Sequence, residues 1–181
     1  MASITKDFHD VKKGDSVLLL ANSKNYASDN VNVVKHFSSK RYKGIYVTVN
    51  RPYENIRAML KQKNVNMDSM YFIDMISRKS NLEATDERCI YVNSPESLTG
   101  TGIALEQIAK TVRGDKFIYL DSLSTLLTYN PKQTVLKFAH FLATKTREWN
   151  VVGIVISLKN QTDKNMLSQL TQFFDKVIEE K

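Results

Sequence analysis

Asp121 and Ser122 are the residues of this sequence best placed to do chemistry. They follow Phe117-Ile118-Tyr119-Leu120, a run with no turn residue in it. Such a run suits a buried strand of a sheet covered on both faces, and ligands of these sheets sit outside the carboxyl ends of the strands. A carboxylate standing there with a hydroxyl beside it can hold a hydrated magnesium ion near phosphates. The same pair has a simpler use, since Asp and Ser both accept hydrogen bonds from the free N–H groups of a following helix. Both uses are open at this point.

Other chemistry is thinly represented. His9, His36 and His140 are scattered without a partner at metal-ligand spacing, which argues against a zinc-type site. Cys89 is the single cysteine, so an internal disulfide is excluded, and its neighbours Ile90 and Val92 mark it as a small buried hydrophobe. Ser122, Ser124 and Ser157 fall near strand ends, yet no G-x-S-x-G signature marks a nucleophile elbow. The net charge is +7, and its placement says more than its size. Lys35, Lys40, Arg41, Lys43, Arg51, Arg57, Lys61 and Lys63 stand against Glu54 alone, an excess equal to that of the whole chain. A segment of this kind attracts a nucleic acid, an anionic surface or an acidic protein, or else is a solvated face. Tyr42, Tyr46 and Tyr53 interleave with it and are read either as base-stacking groups or as packing at element edges.

The elements that must position these groups follow from the apolar pattern. At 181 residues and 42% hydrophobic, the chain reads as one globular domain. Strands are expected over residues 16–21, 44–50, 70–74, 89–92, 116–121, 151–157 and, at an edge, 173–179. Helices are expected between them: one capped by Asp29 or Asn30 and ending near Ser38, one over residues 52–63, one carrying Ile103, Leu105, Ile108 and Val112, and one over residues 131–148. Pro52 and Pro131 suit first helical positions. The polar residues 77–87 read as a loop. Strands alternating with such helices predict an α/β fold with a mostly parallel, doubly wound sheet. The apolar runs fall far short of the ~20 residues of a membrane helix, and the charged start lacks a signal's apolar core, so a cytoplasmic protein is expected.

This order of elements resembles the RecA-like ATPases, specifically their KaiC and RadA branch, with small archaeal KaiC-like proteins the nearest picture. Gly14-Asp15-Ser16 with the strand after it, Gly44 to Val49, and Pro52-Tyr53-Glu54-Asn55-Ile56 carry the first half of the likeness. Phe117 to Ser124 is similar to that branch's Walker B strand, and residues 152–157 and 174–178 to its last two strands. The resemblance implies a three-layer RecA-like P-loop NTPase fold over residues 1–181. It also implies Ser28, Asp121 and Ser122 as the remnant of a nucleotide site, with Asp121 toward magnesium.

The departures are as informative. Such a family places G-x-x-x-x-G-K-[ST] after its first strand, because glycines let backbone N–H groups wrap phosphates that the lysine neutralises. Here those positions read Ala21-Asn22-Ser23-Lys24-Asn25-Tyr26-Ala27-Ser28, and only Ser28 fits, with Lys24 a possible substitute cation. Asn50-Arg51 stands where the family's water-activating glutamate should be, and neither is a general base at neutral pH. The expected function is therefore a catalytically inactive, regulatory or scaffolding binding module without a cofactor. Its expected partner is a protein: another copy, an active KaiC-like ATPase or a signalling protein. Lys40, Arg41, Lys43, Arg57, Lys61 and Lys63 would form the contact, a surface that nucleic acid could also use. The alternative is an ATP/Mg-binding or weakly hydrolysing protein of the KaiC and RadA type, associated with DNA.

Overall fold

A computed structural model of the chain describes residues 4–78 and 86–180. Its strands are β1 (Ser16–Ala21), β2 (Lys43–Thr48), β3 (Met70–Asp74), β4 (Cys89–Tyr91), β5 (Lys116–Asp121), β6 (Val152–Leu158) and β7 (Lys176–Glu179). They form one sheet in the order β4-β3-β2-β5-β6-β1-β7, with every neighbouring pair parallel. The four longest strands, β2, β5, β6 and β1, are adjacent at the centre, and the parallel arrangement is the one expected. The loop expected over residues 77–87 lies mostly outside the described residues.

Because the strands are parallel, helices must return the chain across the sheet faces. Helices α1 (Tyr26–Ser39) and α2 (Tyr53–Gln62) cover one face, and α3 (Leu98–Thr111), α4 (Leu123–Tyr129), α5 (Lys132–Glu148) and α6 (Lys164–Leu170) the other. Strand side chains alternate between two cores: in β1, Leu18 and Leu20 pack under α3 to α6, while Val17, Leu19 and Ala21 pack under α1 and α2. This is a three-layer α/β architecture.

Several boundaries differ from expectation for identifiable reasons. Helix α1 begins at Tyr26, not after Asp29 or Asn30, and both of those side chains are buried in its first turns instead of capping it. Pro52 and Pro131 precede their helices by one residue, where an extended ψ lets the Pro52 carbonyl accept from Asn55 N at 3.0 Å and Ile56 N at 3.2 Å. Strand β7 starts only at Lys176, because Phe173 N turns back to the Leu170 carbonyl at 2.9 Å. Helices α1, α2 and α5 all end on a left-handed residue, Arg41, Asn64 and Asn150, whose next N–H returns into the helix.

Candidate functional site

Asp121 ends β5 at the carboxyl edge of the sheet, level with Thr48 of β2. Strand β6 separates it from β1, whose end leads into residues 22–28. Helix α4 starts at once, and Ser122, not Asp121, caps it: the Ser122 hydroxyl accepts from Thr125 N at 3.3 Å and lies 3.0 Å from Thr125 Oγ1. The Asp121 carboxylate is free to turn the other way, under α1.

There it is only 2% exposed and fully engaged. Asn30 Nδ2 donates to one oxygen at 3.1 Å, the Tyr46 hydroxyl donates to the same oxygen, and Asn50 Nδ2 donates to the other at 3.2 Å. These donors are held in turn, since the Tyr119 hydroxyl donates to Asn30 Oδ1 at 2.7 Å and Thr125 Oγ1 donates to Asn50 Oδ1. Asn50 Nδ2 also donates to the Tyr26 hydroxyl at 2.7 Å, so the first residue of α1 closes the network from above. Burial pushes the Asp121 carboxyl up to about 7, and the three donors oppose that rise. The cavity among Tyr26, Asn30, Asn50, Arg51 and Asp121 is about 10 Å³, room for roughly one water.

The site residues expected from the sequence do not converge. Ser28 is exposed, and its hydroxyl turns back to the Asn25 carbonyl at 2.7 Å. Lys24 is exposed and has no ion-pair partner among the described residues. What reaches the loop after β1 is a carboxylate of the chain itself. Glu180, just past β7, accepts from the Asn22 backbone N–H at 2.6 Å and from Asn25 Nδ2. Lys159 anchors this end by donating to the Glu180 carbonyl at 2.5 Å and pairing with Glu179 at 2.8 Å. Asp29 lies against Glu180 with one buried oxygen lacking any donor, and burial, then the neighbouring Glu180 charge, push its carboxyl up to about 6.

Glu180, Asp29, Asn30, Tyr46 and Tyr119 were thus missed. Tyr46 and Tyr119 carried a usable signal, polar tips within strands that are otherwise apolar. Glu180 carried none. The serines are also structural: Ser124 accepts from Leu158 N at 2.7 Å, and its hydroxyl lies 3.3 Å from that of Ser157. Asp74, the acid at the end of β3, accepts from Tyr53 N at 2.6 Å and Ser77 N at 2.8 Å, which fixes the start of α2. Cys89 is buried, and burial pushes its thiol up to about 12. Tyr46 and Tyr53 are core residues with no face for stacking bases, while Tyr42 is half-buried in a T-shaped contact with Phe37.

The basic residues separate by position. Lys40 and Arg41 end α1, Lys43 opens β2 and Lys63 follows α2, all toward the amino edge, whereas Arg57 and Lys61 are exposed one turn apart on α2. Asp121 is at the opposite edge.

Residues 14–180 match the model of a family described as a family of unknown function, DUF7504. The chain belongs to that family. No curated protein matches the sequence. Among solved structures, an uncharacterised protein of Pyrococcus horikoshii in complex with an unknown peptide superposes with a TM-score of 0.74 at 12% identity, covering 98% of this chain and 82% of that one. The flagellar accessory protein FlaH of Methanocaldococcus jannaschii gives 0.68 at 10% identity over 99% and 77%. A KaiC-like protein of Pyrococcus horikoshii gives 0.57 at 13% over 81% and 62%. At these identities the likeness is one of fold, and the fold of this family member is that of the RecA-like and KaiC-like P-loop NTPases.

Proposed function

We propose that this domain works by binding a macromolecule and that it neither holds nor hydrolyses Mg-ATP. The observation that carries the reading is the closed network on Asp121. A magnesium ion there would need carboxylate lone pairs and water positions, but Asn30, Tyr46 and Asn50 already occupy the carboxylate and Tyr26 covers it. A nucleotide needs a cleft of some 300 Å³ or more, against about 10 Å³ here. The loop that would face the phosphates presents Tyr26 and Ala27 in place of glycine and lysine, and Glu180 puts a negative charge on its first N–H. Asn50, in the place of a water-activating acid, donates to Asp121.

A protein segment is the partner class we favour, consistent with Lys35 of α1 and Lys61 of α2, which have no carboxylate partner among the described residues, and with the peptide bound by one structural relative. No helix of the described residues is long and apolar enough to cross a membrane. In a calorimetric titration with Mg-ATP beside a phosphate-release assay, we expect no saturable heat and no turnover above buffer. Turnover that Asp121→Asn abolishes would overturn this reading.

A further inference from the structure

Outside the α1–α2 face, paired and unpaired cations are mixed, the pairs including Lys13–Asp115 at 2.9 Å, Lys110–Glu106 at 2.5 Å and Arg147–Asp175 at 2.8 Å. On that face, Lys35, Lys40, Arg41, Lys61 and Lys63 have none among the described residues, and Arg57 has only Glu54 at 3.8 Å. Like charges left unpaired on two adjacent helices and just past their C-termini are unfavourable in the free protein, and the arrangement becomes favourable when an anion joins them. The same two helices enclose a groove of about 360 Å³ with Ala27, Val31 and Met59 as its apolar floor and Lys35 and Lys63 on its sides. Ala27, Val31 and Lys35 are spaced four apart and form one stripe of α1 about 12 Å long, while Met59 and Lys63 are one turn apart on α2. Lys35 and Lys63 lie toward the helix C-termini, so the cations gather at one end of the groove.

We infer that this groove is the docking site for an acidic segment of a partner protein, with an apolar side chain seated on Val31 and Met59 and carboxylates meeting Lys35 and Lys63. The inference rests on the reading of the domain as a macromolecule-binding module and names its site and partner chemistry. Charge complementarity alone would serve nucleic acid equally. The apolar floor and the absence of a tyrosine face here favour a peptide: bases need a stacking platform, and Tyr46 and Tyr53 are locked in the core. The groove borders the small cavity at Asp121, with Ala27 and Met59 lining both, while its cations Lys35 and Lys63 line only the groove.

The test uses the full chain and fluorescein-labelled synthetic peptides in anisotropy titrations at low and physiological salt. One peptide carries leucines four apart among glutamates, a second replaces the glutamates by glutamine, a third replaces the leucines by serine, and a single-stranded oligonucleotide is run beside them. The first peptide should bind more tightly than either control, and binding should weaken with salt because the charges are exposed. Lys35→Gln with Lys63→Gln should raise its Kd roughly tenfold, in line with about 1.4 kcal/mol from two surface charge pairs. Met59→Ser should weaken it while leaving the salt dependence unchanged, and Lys110→Gln, on the far face, should have no effect. Equal binding of all three peptides, insensitivity to the groove variants, or an oligonucleotide that binds more tightly through the same lysines would each overturn the inference. Failure of the underlying reading looks different: Mg-ATP turnover would appear whatever the peptides do, whereas loss of the docking site alone leaves the nucleotide assays silent.

Discussion

The domain should lose stability as the pH rises from 5 to 8, by an amount large enough to lower its melting temperature by roughly 10 °C. The cause is the pair of buried carboxyls, Asp121 raised to about 7 and Asp29 to about 6, from 3.8. A carboxyl whose pKa is raised by folding lends stability while it is protonated in the fold, so the contribution is complete below about pH 4. It disappears as the pH passes through the folded values. At 1.36 kcal/mol for each unit, the ceiling is about 4 kcal/mol for Asp121 and about 3 kcal/mol for Asp29. The donors on Asp121 keep its share below the ceiling. His36 acts in the opposite sense, since burial holds its pKa below 6.5 and its contribution falls away on acidification; above pH 7 it is constant. The slope between pH 7 and 8 therefore reports Asp121. Asp121→Asn keeps the shape and removes the charge, and it should flatten that slope, while Asp29→Asn should make the profile less steep between pH 5 and 6, where Asp121 still contributes. Thermal unfolding across the range checks both, and a profile that is flat or rising up to pH 8 would contradict the assignment.

The sheet was legible because its strands are runs of β-branched, aromatic and aliphatic residues without turn formers, which only a two-sided core can bury. Asp121 was legible as the acid ending such a run. The missing glycine and lysine of residues 21–28 were also legible, and they pointed to a loop unlike a phosphate cradle. What fills the space was not. The cap preferences of Asp29 and Asn30 placed the start of α1 some residues late, which left Tyr26 in a loop and hid that Asn30 would point at Asp121. Tyr46 read as a base-stacking or packing aromatic and Tyr119 as part of an apolar run; a hydroxyl tip in such a strand signals a buried polar partner, but not that the partners are a carboxylate and an amide. The partnership of Glu180 with Asn22 joins opposite ends of the described chain, and contacts of that range leave no mark on periodicity or spacing. The basic segment was visible as a run of charge, but only the packing of α1 on the sheet beside α2 separates the cations flanking a groove from those at the foot of the sheet.

Gly153 gives the second large effect. It lies in β6, the strand between the one that leads into residues 22–28 and the one that ends in Asp121, and it pairs with Ser16 on one side and Ile118 on the other. A Cβ there would meet Thr146 of α5 at 2.2 Å from Oγ1, 3.0 Å from Cγ2 and 3.1 Å from Cβ. Thr146 is buried, and its hydroxyl already bonds the Leu142 carbonyl at 2.8 Å. Rotating its side chain cannot clear the clash, because its own Cβ is among the close atoms; α5 must move off the sheet or β6 must bend. Overpacking of this kind costs about 1–3 kcal/mol and sometimes more, so Gly153→Ala should lower stability in urea by about 3 kcal/mol, and Gly153→Val by more. Thr146→Ala alone should cost about 1 kcal/mol for lost packing and its hydroxyl bond. Together with Gly153→Ala it should recover part of the loss, since two of the three close atoms are gone, and the cycle should show a favourable coupling of about 1 kcal/mol or more. Gly153→Ala within about 0.5 kcal/mol of the native protein, a range usual for surface changes, would mean that α5 does not rest on β6 as described.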